Sequence, residues 1–89
     1  MKLFMVHLGF YDDDLGEGIY ESHINHFIGA TSAQSAKKKI SALPEFKQRK
    51  MHIDGIKELS HVEGYKITLE KTDQFNKSKV YSYNDSKKL

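Results

Sequence analysis

The stretch Glu21-Ser22-His23-Ile24-Asn25-His26-Phe27 places an acid, two imidazoles and an amide within seven positions. A second acid and imidazole pair, His52 and Asp54, stands farther along at a two-residue interval. Imidazole nitrogen and carboxylate oxygen together suit zinc, manganese or iron, and the same groups exchange protons near neutral pH. Which of them act together depends on the backbone. In a helix His23 and His26 would share a face; in a strand they part, and Glu21, His23 and Asn25 line up instead.

The elements around these residues decide the matter. Residues 19 to 30 follow a glycine-rich loop and are rich in β-branched and aromatic types, with Gly29 near their end, so they read as a strand. His23 and His26 then face opposite ways and form no joint chelate. Glu21, His23, His52 and Asp54 remain as the candidate metal or acid–base set, on the condition that their two strands come close. His26 is expected as a hydrogen-bonded residue at the core margin, His7 on a strand where a partner covers it, and His61 as exposed beside a turn.

Residues 2 to 10 alternate, with Phe4, Val6, Leu8 and Phe10 on one side and Leu3, Met5, His7 and Gly9 on the other. Both sides are largely apolar, which predicts a central strand covered on both faces, by a helix on one and by a sheet or second subunit on the other. The segment from Tyr11 to Gly18 carries two glycines and four acids and reads as a loop. The one clear helix starts at Thr31, whose spacing to Gln34 is that of a capping box, and presents Ala33, Ala36, Ile40 and Leu43 as a narrow apolar stripe. Pro44 should end it near Ala42 or Leu43.

Farther on, Ile53 and Ile56 are out of phase for a strand. A bulge at Asp54-Gly55 restores the alternation, although the same dipeptide also suits a hairpin turn. Tyr65, Ile67 and Leu69 alternate with Lys66, Thr68 and Glu70, and Glu63-Gly64 offers a two-residue turn back to Val62. The expected architecture is α+β: a four-stranded antiparallel sheet in ββαββ order with one helix on one face, spanning residues 1 to 72. Residues 73 to 89 are expected as a polar tail or an extra edge strand. Phe4, Val6, Leu8, Ile24, Ile28, Ile40, Leu43, Ile67 and Leu69 are expected at the core.

Composition narrows the function classes. A chain of 89 residues holds one small domain, and chains near this size bury only roughly 60 to 65% of the surface they expose when unfolded. With 38% hydrophobic and 29% charged residues the sequence is that of a globular protein. Cysteine is absent, which removes disulfides and thiolate sites and suits a reducing compartment. The first residues lack a small-residue cleavage site and are far short of the roughly 20 apolar residues that span a bilayer, so a cytoplasmic location is expected.

The net charge of +2 does not argue for nucleic acid, and Lys37, Lys38 and Lys39 are what the wet side of a helix ordinarily carries. Those lysines with Tyr65, Tyr81 and Tyr83 offer phosphate and stacking contacts only as a last-ranked reading. No glycine-rich phosphate loop, nucleophile elbow or calcium loop is present.

The segments Met1 to Gly9, Glu21 to Ile40 and His52 to Leu69 together resemble a small bacterial family, the domain of unknown function family 1543. The positions that carry the likeness are Leu8, Gly9, Glu21, His23, Gly29, His52, Asp54, Gly64 and Tyr65. Phe10 stands where that family commonly has a second glycine, and the first loop is more acidic than its pattern. The resemblance implies one or two copies of the domain per chain and brings no assigned activity or cofactor. A single copy could pair with itself to reproduce the fused arrangement. The leading expectation is therefore a non-enzymatic binding or assembly module, homodimeric through its second apolar face. A metal-binding or acid–base site at Glu21, His23, His52 and Asp54 is the alternative, and nucleic-acid binding ranks last.

Overall fold

A computed structural model describes all 89 residues. Strand β1 (Lys2–Tyr11) is the centre of a three-stranded antiparallel sheet, flanked by β2 (Glu21–Ala30) and β3 (His52–Glu58). The stretch after the acidic loop is thus extended, and Val6 pairs with His26 while Gly9 pairs with His23, which sends the two imidazoles to opposite faces. Between the strands the acidic loop turns through Gly16–Gly18, three residues that all have positive φ.

Helix α1 (Ala33–Ser41) crosses one face of the sheet. It is capped one residue later than expected: the Ser32 hydroxyl, not that of Thr31, accepts from the Ser35 N–H at 3.1 Å. It ends at Ala42, where Pro44 predicted. That proline then opens a second short helix, α2 (Pro44–Gln48), because a fixed φ and a missing N–H cost nothing at a first helical position.

The core lies between β1 and these helices. Phe4, Val6, Leu8 and Phe10 all point into it, against Ala36, Ile40 and Met51, and Ala30 joins at the end of β2. Two alanines let α1 and the sheet approach closely, and Ile28, Leu43, Phe46, Ile53 and Ile56 close the margins half-buried. Ile24 shares the helix side of β2 but is 38% exposed, since α1 does not reach that end of the edge strand. Leu69, expected in the core, is 40% exposed.

The sheet is smaller than the four-stranded ββαββ expectation. After β3 the chain makes a separate two-stranded hairpin, β4 (His61–Val62) and β5 (Tyr65–Lys66). Glu63 (φ 48°) and Gly64 (φ 84°) form its tip, the left-handed pair that a two-residue hairpin turn demands. The Ile67 N–H returns to the Ser60 carbonyl at 2.8 Å, and no ladder continues beyond Lys66. Leu69 lies instead at the sheet margin, with Met1 beside Gly29, while Tyr65 is exposed in the hairpin.

Residues 67 to 82 belong to no regular element, and a last short helix, α3 (Tyr83–Lys87), is capped reciprocally by Ser82 and Asp85. The radius of gyration is 15.8 Å. A compact chain of this length would have about 12 Å. The excess reflects the projecting C-terminal arm. No helix is long and apolar enough to cross a membrane.

Candidate metal centre

The face of the sheet turned away from α1 carries the acids and imidazoles. Gly9 is its pivot. In the sheet register Gly9 lies opposite His23 on β2 and opposite His52 on β3, so the two imidazoles flank a central position that has no side chain. A Cβ built on Gly9 would collide with Glu21 Oε1, and would sit 2.5 Å from His52 Nε2 and 2.7 Å from Asp54 Oδ2. The glycine thus leaves the space into which three side chains from both neighbouring strands lean.

Strand β3 delivers two of these groups through a bulge. Ile53 pairs with Leu8 and Gly55 with His7, and the register shifts between them, with Asp54 as the additional residue. Ile53 and Ile56 both keep the core side in consequence, while His52 and Asp54 both reach the outer face.

The four groups meet in a ring in which imidazole and carboxylate alternate. His52 Nε2 lies 2.6 Å from Glu21 Oε1, and His23 Nε2 lies 3.2 Å from the same oxygen. Asp54 closes the ring with one oxygen to each imidazole, Oδ2 to His23 at 3.0 Å and Oδ1 to His52 at 3.2 Å. Carboxylate oxygens only accept, so with no ion bound both Nε2 atoms carry the proton and donate. The four side chains are between 31 and 46% exposed, open enough for an ion to enter without any movement of the backbone.

Sequence reasoning set His7 aside for a partner, yet it adjoins this site. Its ring stacks on that of His23, with centroids 4.9 Å apart and planes 3° from parallel. Its Nδ1 lies 2.7 Å from Asn25 Oδ1. An amide oxygen accepts, so Nδ1–H is the donor, and a neutral His7 keeps its lone pair on Nε2. His7, His23 and Asp54 offer donor atoms within 4.8 Å of one another, as do Glu21, His52 and Asp54. The first triad is the weaker chelate as it stands. Imidazole lone pairs lie in the ring plane, so two parallel stacked rings do not aim at one ion. His7 instead holds the His23 ring in place. Its signal in the sequence was parity, since His7 and Gly9 share a side of β1.

The remaining candidates do not converge. His26 is half-buried on the helix side of β2, and His61 Nδ1 lies 3.1 Å from the Ser60 hydroxyl, well along the chain in the small hairpin. Tyr65 is exposed in the small hairpin, and Tyr81 and Tyr83 are exposed near the C-terminus, each with a lysine over its ring. Lys39 donates to the Gly29 carbonyl at 2.8 Å, so one of the three helix lysines has a structural partner.

No protein-family model, curated protein or solved structure matches the chain. The geometry over Gly9 therefore carries the functional reading by itself.

Proposed function

We propose that this protein binds a divalent transition-metal ion on the open face of its sheet, held by Glu21, His23, His52 and Asp54. The observation that supports the reading is the alternating ring of two imidazoles and two carboxylates over Gly9. Its neighbouring donors are 2.6 to 3.2 Å apart. Donors bound to zinc at 2.0 to 2.1 Å in a tetrahedron are all separated by about 3.3 Å. Glu21, His52 and Asp54 already offer one donor each within 4.8 Å of one another, and His23, in contact with both carboxylates, completes the set by closing toward His52. Two carboxylates balance the charge of a dication, and moving the proton of each neutral imidazole from Nε2 to Nδ1 turns Nε2 from donor to ligand. Zinc suits this donor set best, with manganese and iron as competitors.

Four protein donors fill a tetrahedral shell and leave no position for substrate. The role that follows is binding, not metal-centred catalysis, and it agrees with a non-enzymatic binding module. Kinship with the domain of unknown function family 1543 belongs to the same proposal. Gly9, Glu21, His23, His52 and Asp54, five of the nine positions that carry the likeness, are the ring and its pivot.

The test is elemental analysis of tag-free protein after equilibration with zinc and removal of excess ion. One equivalent per chain is expected, with loss of most of it in His23→Ala and His52→Ala. Absence of stoichiometric zinc, manganese and iron in the parent protein would overturn the proposal.

A further inference from the structure

The two edges of the sheet are not alike. Strand β3 is interrupted by its bulge and carries Lys57 near its end, two devices that discourage another strand from pairing there. Strand β2 runs ten residues in unbroken register with no bulge, proline or lysine. The Leu59 N–H bonds the Leu3 carbonyl at 2.8 Å, so odd-numbered residues of β1 bond toward β3. Antiparallel alternation then turns the backbone groups of Glu21, His23, Asn25, Phe27 and Gly29 away from β1, toward the free edge. Lys39 satisfies the Gly29 carbonyl. The other four residues present an open row of donors and acceptors.

The same chain holds a segment suited to that row. Residues 67 to 82 contain neither glycine nor proline, form no element, and leave Phe75 96% and Val80 81% exposed, with Tyr81 and Tyr83 also largely in water. Phe75, Lys77, Lys79 and Tyr81 fall on one side of an extended segment. The β2 edge is complementary in kind: Ile24 and Phe27 are its exposed hydrophobic residues, Ile19 and Tyr20 stand exposed just before it, and the acidic loop from Asp12 to Glu17 adjoins its start.

We infer that residues 75 to 81 of one copy add as a fourth strand to the β2 edge of a second copy, and reciprocally. Main-chain hydrogen bonds supply the pairing, aromatic side chains cover the apolar edge, and arm lysines meet the acidic loop. Closed two-fold exchange limits the assembly to a dimer.

Light scattering of the full chain at high micromolar concentration, with a chelator present to exclude metal bridging, should give twice the 10.3 kDa chain mass. Adjacent residues of a strand point their N–H groups to opposite sides, so at least one of Val80→Pro and Tyr81→Pro must remove a bond to β2 and return the mass to one chain. In the dimer the amides of Glu21, His23, Asn25 and Phe27 should be protected from hydrogen exchange, and lose that protection in the dissociating variant. A monomeric parent overturns the inference, whether those amides are open or are protected by the chain's own arm. A dimer of unchanged mass in both proline variants overturns it equally.

Discussion

His23 and His52 lie on strands that do not pair with each other, yet both are in register with Gly9 of the strand between them and both contact Glu21 Oε1. Strands on either side of a central one are about 9.5 Å apart, twice the spacing of a single pair. Side chains bridge that span only because the intervening residue has none.

Gly9→Ala tests that relationship. The Cβ would meet the ends of Glu21, His52 and Asp54, all partly exposed and able to swing outward, not backbone. Unfolding free energy should change by less than about 1 kcal/mol, since alanine is otherwise preferred to glycine within a strand. Zinc affinity should fall by at least roughly the 10- to 100-fold seen when the surroundings of metal ligands are disturbed. Urea denaturation and metal titration on the same sample check both halves.

Metal affinity should depend steeply on pH, with a definite sign. An imidazole binds metal only when its ligating nitrogen carries no proton. Where both imidazoles are protonated, two protons must leave for each ion bound, so affinity should drop on acidification by up to about a hundredfold per pH unit. Competition with a chromophoric chelator from pH 5 to 8 would measure the slope, and a flat profile would exclude imidazole ligation.

His7→Ala should weaken binding without abolishing it. The substitution removes the stacked ring beside His23 and the bond to Asn25, while the four donors of the ring stay. An affinity loss of about tenfold, with one equivalent of metal still bound, is the expected outcome of calorimetric titration. A loss as large as that of His52→Ala would make His7 a ligand.

Ile40→Ala and Ile24→Ala should separate the core from its margin. Ile40 is wholly buried between α1 and β1, and its truncation should cost about 2 to 5 kcal/mol, a large share of what so small a domain possesses. Ile24 keeps substantial contact with water, and its truncation should cost under about 1 kcal/mol. Paired urea titrations give the comparison.

Much of this was legible in residue order. The two-residue period of β1 placed Phe4, Val6 and Leu8 in the core, and the mismatch of Ile53 and Ile56 located the bulge. The extended form of residues 21 to 27 separated His23 from His26 for the reason expected. Gly9 as pivot was not legible, because a missing side chain matters only once its two cross-strand neighbours are known. The fourth strand failed for a physical reason: the alternation of Tyr65, Ile67 and Leu69 suits a strand but supplies no ladder partner, and only Tyr65 and Lys66 find one, in the separate hairpin. The helix at Pro44 was available from chain order, since a proline that stops one helix also suits the first position of the next.

The extra residue at Asp54 sets a constraint of counting as well as of chemistry. From His52 to Ile56 the strand must turn two isoleucines three positions apart, 53 and 56, inward and two donors, 52 and 54, outward, which a strict two-residue period cannot do with Gly55 also present. Loss of Gly55 would return the span to plain alternation with both isoleucines still inward, and would shift Asp54 to a regular place opposite His7. Length here is as much a determinant as side-chain identity, because the additional residue sets where along the central strand the Asp54 carboxylate comes to lie.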